Sequence, residues 1–240
     1  MARIITIVRT RNEEKRIEMF CKYHDFSDLI LVADGGSEDD TVKLSKKFPK
    51  VQVRVFDEMI ELGGGYRRNP DWKHLNFLFE WAEEEEADWI VYNDCDTNPN
   101  YLLQKEARKI MEESPHPFIR AVQIFLWGED KYFPALSRNG GWWPSLWAWK
   151  VDTRLRAFGD PPHFQFGSLL EGRQAMDFNA IPCSDALPPH CQLHASWIDS
   201  NAVDKHIKMY RDSGLISGMR HPIDFGGALA KRDEWIRYEE

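Results

Sequence analysis

Apolar runs and segments with helical periodicity alternate over the first hundred residues of the chain. The runs are short and rich in β-branched residues, which is typical of buried strands. They lie at 3–10 (RIITIVRT), 28–34 and 88–94 (DWIVYND), while 51–58 (VQVRVFDE) alternates like a further strand. The helical segments lie at 12–24, 37–48 and 71–86. Asn12 is the predicted cap of the first helix. Strand and helix in strict alternation, with short connections, predict an α/β fold with a mostly parallel central sheet covered on both faces.

The pattern changes after about residue 116. Strands are predicted at 118–127 and 142–151, and a helix within 196–214, between loops rich in glycine, proline and aromatic residues. We expect a single domain over 1–240, with a regular half at 1–100 and an irregular, aromatic-rich half at 101–240 that ends in the helix. Five of the ten tryptophans fall between Trp127 and Trp149, and they form either a hydrophobic sub-core or an aromatic platform for an acceptor.

The composition and charge of the chain limit the kinds of molecule that it could bind and its cellular location. Hydrophobic residues make up 42% of the chain, enough for a real core. The 31 basic and 39 acidic residues give a net charge of −8, which disfavours broad attraction to nucleic acid. An anionic substrate must then be met locally, by a metal ion or a few arginines. The four cysteines show no C-x-x-C spacing, the first residues lack a long apolar core, and no run reaches the length of a membrane span. We therefore expect a cytoplasmic protein without an integral membrane segment.

Three polar motifs follow predicted strands. They are VRTRNEE (8–14), ADGGSEDDT (33–41) and NDCDTNP (93–99), and all fall where an open α/β sheet keeps its ligand crevice, beyond the carboxyl ends of its strands. Taken singly, the second motif is also an ordinary turn with a helix cap, and the third is also a solvated loop.

Asp94 and Asp96 are the pair that points most directly to chemistry. Residues i and i+2 of an extended segment point the same way, so the two anions would raise each other's pKa unless a cation lies between them. Mg²⁺ or Mn²⁺ prefers oxygen ligands and takes one or two protein carboxylates, which leaves positions for phosphate oxygens. Such an ion would act as a Lewis acid on a departing diphosphate.

In this order and spacing the three motifs resemble the nucleotide-sugar-binding half of family 2 glycosyltransferases, which have the Rossmann-like GT-A fold. The resemblance covers roughly residues 3–100 and implies a role for each matching position. Thr10 and Glu13 would line the base and ribose, Asp34 would read the uracil edge, Arg67, Arg68 and Asn69 would lie near the diphosphate, Asp94 would lie near the ribose and the metal, and Asp96 on the metal.

The late segment PHCQLHASW (189–197) is similar to the part of GT-A enzymes that carries a further metal ligand. The resemblance makes His194 that candidate, although a lone histidine is also often structural. Lys205, in the helix that follows, could grip phosphate oxygens as a point charge. His190, Cys191, His194 and Cys183 could instead suggest zinc, but their spacing fits no common zinc site.

The catalytic base is the residue that the sequence identifies least well. An inverting transfer, which we expect, needs a carboxylate within reach of the acceptor hydroxyl. The family often places it in an E-D pair well after the D-x-D motif, and this chain departs from that pattern. Asp160 ranks first, followed by Asp130 and Glu129. A retaining enzyme would need no such base, so the stereochemistry stays open.

The prediction is a glycosyltransferase that depends on Mn²⁺ or Mg²⁺ and transfers a sugar from a nucleoside diphosphate, with UDP expected, to an acceptor hydroxyl on a glycan or glycoconjugate. One alternative acceptor is a DNA base, as in phage enzymes that modify DNA. An alternative of another class is a non-catalytic carbohydrate-binding protein that uses the tryptophan cluster. A sugar-nucleotide pyrophosphorylase would need a glycine-rich loop after the first strand, which VRTRNEE does not provide. Neither the donor sugar nor the oligomeric state can be read from the sequence.

Overall fold

The structure is a computed structural model, and it describes residues 1–61, 67–127, 131–133, 143–159, 165–168, 183–184, 190–195, 230–231 and 239. The helices are α1 (Ile17–Tyr23), α2 (Thr41–Ser45), α3 (Asp71–Glu84) and α4 (Tyr101–Glu113). The strands are β1 (Ile4–Thr10), β2 (Leu29–Asp34), β3 (Val51–Val55), β4 (Ile60–Glu61), β5 (Arg67–Arg68), β6 (Trp89–Tyr92), β7 (Thr97–Pro99), β8 (Phe118–Trp127), β9 (Lys131–Phe133), β10 (Trp143–Lys150), β11 (Leu155–Phe158), β12 (Gln165–Ser168), β13 (Cys183–Ser184), β14 (Cys191–His194) and β15 (Ala230–Lys231).

The central sheet has the strand order β3-β2-β1-β6-β10-β8-β9-β15. Its first four strands run parallel to one another, as the alternation of strand and helix predicts. Strand β10 runs antiparallel to both β6 and β8, so the antiparallel pairings in this sheet come from the second half of the chain. The predicted α/β class with a parallel central sheet is confirmed.

Strands β1 and β2 are buried on both faces, which explains their nearly continuous apolar sequences. On one face, Ile5 and Ile7 pack with α3 through Leu75 and Leu78. On the other face, a second cluster joins strand residues to α1. A third cluster packs α4 against β6, β8 and β10. The apolar clusters cover the two faces of the sheet, and polar residues such as Thr10 and Asp34 lie at the carboxyl ends of its parallel strands.

Strand β14 ties the second half of the chain to the first. It lies parallel to β8 and antiparallel to β7, with His194 paired to Thr97 in the β7 register. The side chain of Asn93, which follows β6, donates to the side chain of Gln192 on β14 at 2.5 Å inside the protein. His194 is thereby brought beside the turn that carries Asp94 and Asp96.

Helix α1 begins later than predicted, and helix α4 is observed but not predicted. Helix α1 begins at Ile17 rather than after Asn12, because Asn12 adopts a left-handed conformation with φ of 57° and residues 13–16 form a turn. Helix α4 is not among the predicted elements, although Leu103, Ala107 and Met111 repeat at helical spacing and Asn100 caps it. The predicted helix within 196–214 lies outside the described residues.

Two of the five clustered tryptophans belong to the hydrophobic core and not to an aromatic platform. Trp147 and Trp149 are fully buried, and Trp149 packs edge-on against Phe79 with ring centroids 5.4 Å apart. These two rings therefore present no platform to a ligand. The side chains of Trp127, Trp142 and Trp143 lie outside the described part of the chain.

Candidate active site

The polar motifs meet at one edge of the central sheet. Thr10 and Asp34 are the last residues of neighbouring parallel strands and pair with each other in the register. Asp94 follows β6, which is the neighbour of β1 on its other side. The three motifs therefore lie side by side at the carboxyl ends of β2, β1 and β6, where an α/β sheet keeps its ligand crevice.

Asp34 is buried and closes its own turn. Its Oδ2 accepts from the backbone N–H groups of Gly36, at 3.1 Å, and Ser37, at 2.9 Å. Its Oδ1 accepts from the hydroxyls of Ser37, at 2.5 Å, and Thr10, at 3.2 Å. With four donors on the carboxylate and only 2% exposure, a base N–H could reach Asp34 only if one of these bonds gave way. The base-reading role of Asp34 stays a prediction.

The first two motifs also hold each other in place. The Asn12 N–H donates to the Ser37 hydroxyl at 2.9 Å, and the Asn12 side chain accepts from the Glu38 N–H at 2.9 Å. One residue later, the Glu13 N–H donates to the Thr41 hydroxyl at 2.7 Å. The polar residues of these motifs thus build a rigid pair of loops, a function that their spacing in the sequence did not reveal.

The D-x-D segment is a turn and not the extended stretch that we expected. The Thr97 N–H donates to the Asp94 carbonyl at 2.8 Å, which closes the turn. Cys95, between the two aspartates, is buried in the cluster formed with Phe20 and Val32. Packing of the central residue into the core therefore sets the direction of Asp94 and Asp96, in place of the strand pleat.

Asp94 is held by two donors from neighbouring strands. Its Oδ1 accepts from Arg9 Nη2 at 2.9 Å and from the Tyr92 hydroxyl at 2.7 Å. Burial raises the pKa of Tyr92 well above its ordinary value, so the hydroxyl remains a donor. Burial alone would lower the pKa of Arg9, yet the neighbouring hydroxyl and carboxylates raise it, so the guanidinium stays charged. The Asp94 side chain nevertheless remains 52% exposed.

Glu13 brings a third carboxylate close to the aspartate pair. Burial raises its pKa, the ion pair with Arg16 at 3.0 Å lowers it in part, and the charges of Asp96 and Asp94 raise it further. Glu13 is neutralised by Arg16, so Asp94 and Asp96 are the carboxylates of this edge to consider as ligands. Their oxygen atoms are of the kind that Mg²⁺ or Mn²⁺ selects.

His194 reaches the same edge through the backbone. The Ala195 N–H donates to the Asp96 carbonyl at 2.7 Å, and the His194 ring lies 4.9 Å from the Phe125 ring between centroids. Among the residues that the structure describes, no three His, Cys, Asp or Glu side chains are arranged to hold a metal ion. The ligand role of His194 stays a prediction. For zinc, Cys191 is buried in the core, and His190 bonds to Glu106 at 2.9 Å.

Asn69 and the two arginines before it have local structural contacts. The buried Asn69 side chain donates to the Glu58 carbonyl at 2.9 Å. The Arg67 carbonyl accepts from Arg11 at 3.0 Å, and Arg68 is paired with Asp71. Their predicted position near a diphosphate remains a prediction. Asp160, Asp130, Glu129 and Lys205 lie outside the described residues.

No protein-family model and no curated protein sequence matches the chain. Solved structures do match it. TarS of S. aureus in complex with UDP-GlcNAc is 18% identical, with a TM-score of 0.41, over 54% of this chain and 39% of that one. Glucosyl-3-phosphoglycerate synthase from Mycobacterium tuberculosis, in complex with Mn²⁺, UDP and glucosyl-3-phosphoglycerate, is 17% identical, with a TM-score of 0.44, over 66% of this chain and 61% of that one. The same synthase with Mn²⁺ and UDP-glucose is 19% identical, with a TM-score of 0.39, over 51% and 44% of the two chains.

The matched region spans less than two thirds of the length of each of these solved chains. At identities below 20% and TM-scores below 0.5, these matches carry no conclusion about the function of this chain.

Arg9 and Tyr92 both contact Asp94, but the sequence analysis does not predict either residue as part of the site. Arg9 precedes Thr10 inside the first motif, and Tyr92 ends β6. A charged residue inside an otherwise apolar strand is the signal that could have singled out Arg9, because a buried arginine needs an acidic partner.

Proposed function

We propose that the chain is a glycosyltransferase that uses a nucleoside diphosphate sugar, with UDP as the expected nucleotide, and a divalent cation. The observation that carries this proposal is the turn at the carboxyl end of β6. It presents Asp94 and Asp96 at the crevice of a parallel sheet, with one oxygen of Asp94 held by Arg9 and the Tyr92 hydroxyl. An acidic edge of this kind suits a diphosphate only when a cation is bound as well.

Asp94 and Asp96 are the residues that would hold the cation, and His194 is a further candidate because β14 runs beside this turn. When bound, the cation would supply Lewis acidity that offsets the charge developing on the nucleoside diphosphate as it leaves. The chain's own contribution is orientation. Hydrogen bonds between the first two motifs fix the loops, and Arg9 and Tyr92 fix the Asp94 carboxylate.

The finer parts of the proposal rest on the sequence and on the family resemblance. An inverting transfer to an acceptor hydroxyl, Mg²⁺ as an alternative to Mn²⁺, and a cytoplasmic location all stay predictions. The acceptor is proposed to be a glycan or glycoconjugate. Burial of Trp147 and Trp149 gives no support to a carbohydrate-binding protein built on these two rings. Within the described residues, none of the helices has the length and apolar character needed to cross a membrane.

The test is thermal unfolding of the purified chain with UDP, GDP, CDP or dTDP, each in the presence of Mn²⁺, Mg²⁺ or EDTA. A ligand that binds only the native state raises Tm, so we expect a rise with UDP that requires the cation. The Asp94→Asn and Asp96→Asn variants should lose that rise while keeping the Tm of the free protein close to that of the wild type.

Asp152→Asn is the matched control. Asp152 is an exposed carboxylate that follows Val151, whose N–H bonds to the Asp88 carbonyl at the opposite end of β6. This variant should keep the full rise in Tm. The proposal is wrong if no diphosphate raises the Tm of the wild type with either cation, or if the Asp94→Asn/Asp96→Asn double variant keeps the rise.

A further inference from the structure

Arg9 is a nearly buried arginine at the centre of the acidic edge. Its side chain is only 15% exposed, and its Nη1 pairs with Asp71 Oδ1 at 2.7 Å. Its Nη2 donates to the Tyr92 hydroxyl and to Asp94 Oδ1, both at 2.9 Å. An arginine can satisfy three such acceptors at once because its guanidinium is a planar fork of five donors.

Both donors to the Asp94 carboxylate reach the same oxygen. Arg9 and the Tyr92 hydroxyl bond to Oδ1, at 2.9 and 2.7 Å. Within the described residues, Oδ2 receives no hydrogen bond, and the Asp94 side chain as a whole is half-exposed. The two donors therefore fix the plane of the carboxylate and leave its second oxygen available to a ligand.

A chain of ion pairs connects Asp94 to Arg68 on β5, which pairs with β4 outside the central sheet. Asp71 begins α3 and binds Arg9 through one oxygen and Arg68, on β5, through the other. Asp94, Arg9, Asp71 and Arg68 thus alternate in sign, and their formal charges sum to zero. Because each partly buried charge has an opposite partner, Arg9 is held firmly enough to orient Asp94.

We propose that Arg9 and Tyr92 are positioning residues that orient Asp94 so that its Oδ2 is presented to the bound cation and nucleoside diphosphate. This inference rests on the proposed function and adds to it two residues that never need to touch the donor. Residues that hydrogen-bond to a metal ligand typically change metal affinity by about tenfold to a hundredfold when they are removed.

The experiment uses two variants that conserve charge, Tyr92→Phe and Arg9→Lys. Each is titrated with Mn²⁺ at saturating UDP, and the Mn²⁺ concentration that gives half of the UDP-dependent rise in Tm is measured. We expect this concentration to increase by about tenfold or more in each variant. Excess Mn²⁺ should restore the full rise, because the ligand oxygens themselves are still present.

Arg156→Lys is the matched control for a lost arginine ion pair. Arg156, on β11, has a side chain that is 13% exposed. It donates to both carboxylate oxygens of Glu83, on α3, at 2.9 and 2.8 Å. This variant should lower the Tm of the free protein and leave the Mn²⁺ requirement unchanged. Any variant that only destabilises the fold should likewise lower the Tm of the free protein without changing its Mn²⁺ requirement. A changed Mn²⁺ requirement is therefore the result that indicates a loss of Asp94 orientation.

The outcomes separate the two proposals. An unchanged Mn²⁺ requirement in Tyr92→Phe overturns the positioning role and leaves the proposed function intact. No Mn²⁺-dependent rise in the wild type overturns the proposed function and this inference with it. If Arg9→Lys fails to fold, Tyr92→Phe decides the question, because it removes one hydroxyl and leaves every ion pair of Arg9 in place.

Discussion

The Oδ1 atom of Asn69 lies only 2.0 Å from the position that a Cβ atom on Gly35 would occupy. Gly35 follows the last residue of β2, and its N–H donates to the Thr10 carbonyl at 2.8 Å. Asn69 in turn donates to the Glu58 carbonyl. The glycine in the second motif is thus required for the close approach of a side chain from a different part of the chain.

Gly35→Ala should destabilise the protein, because either Asn69 or the turn must move to admit the methyl group. We expect a loss of roughly 1–3 kcal/mol in the free energy of unfolding, the usual range for overpacking, measured by urea denaturation. In the Gly35→Ala/Asn69→Ala double variant the clash is relieved, so the two single costs should not add. Strict additivity would contradict the packing described here.

Asp34→Ala should lower stability even without ligand, because it leaves the N–H groups of Gly36 and Ser37 without their acceptor. We expect a loss of roughly 2–4 kcal/mol in the free energy of unfolding. If Asp34 also reads the base, UDP affinity should fall by more than the rate of transfer. The two roles are separated by comparing the urea midpoint of the free protein with the UDP dissociation constant. A variant of wild-type stability would refute the structural role.

Cys95→Ser should destabilise the turn that carries the two aspartates. Cys95 is buried in an apolar cluster, and a hydroxyl there costs roughly 1–3 kcal/mol unless it finds a partner. Cys95→Ala keeps the apolar character and is the control for polarity. Burial also raises the pKa of the Cys95 thiol well above its ordinary value. A native chain whose Cys95 reacts readily with a thiol reagent at neutral pH would contradict this burial.

Two buried histidines should make the protein sensitive to acid. Burial lowers the pKa of His24 and of His74 from 6.5 to about 4. The folded state therefore keeps both neutral while the unfolded chain binds protons below pH 6.5. The resulting stability is fully present above pH 6.5 and is lost as the pH falls towards 4.

Urea denaturation at pH 7 and pH 5 measures this effect, for which we expect about 1–2 kcal/mol per histidine. His74 bonds to the Ala33 carbonyl at 2.9 Å and stacks on Phe56. His74→Gln keeps a possible donor to that carbonyl but does not titrate. It should therefore lose less stability than the wild type between the two pH values. An equal loss in both proteins would show that His74 does not contribute.

The sequence by itself determined the elements that depend on local periodicity. The apolar runs that became β1, β2 and β6 are legible because burial on both faces of a parallel sheet demands continuous apolar residues. Strand β3, at the edge of the sheet, is legible instead from the alternation in VQVRV. Helix α3 likewise follows its predicted span from Asp71 closely. The order of these elements also placed Thr10, Asp34 and Asp94 at one edge of the sheet, since strands linked by helices run parallel.

Only the tertiary structure decided how that edge is built. Arg9 and Asp94 are 85 residues apart in the sequence, and their contact depends on the register between β1 and β6, which no local pattern encodes. The turn at Asp94 and Asp96 depends on the burial of Cys95 beneath it, and the Gly35 turn on the approach of Asn69. Each of these arrangements is set by packing between segments that are distant in the sequence. Periodicity shows only on which face of its own helix or strand a residue lies.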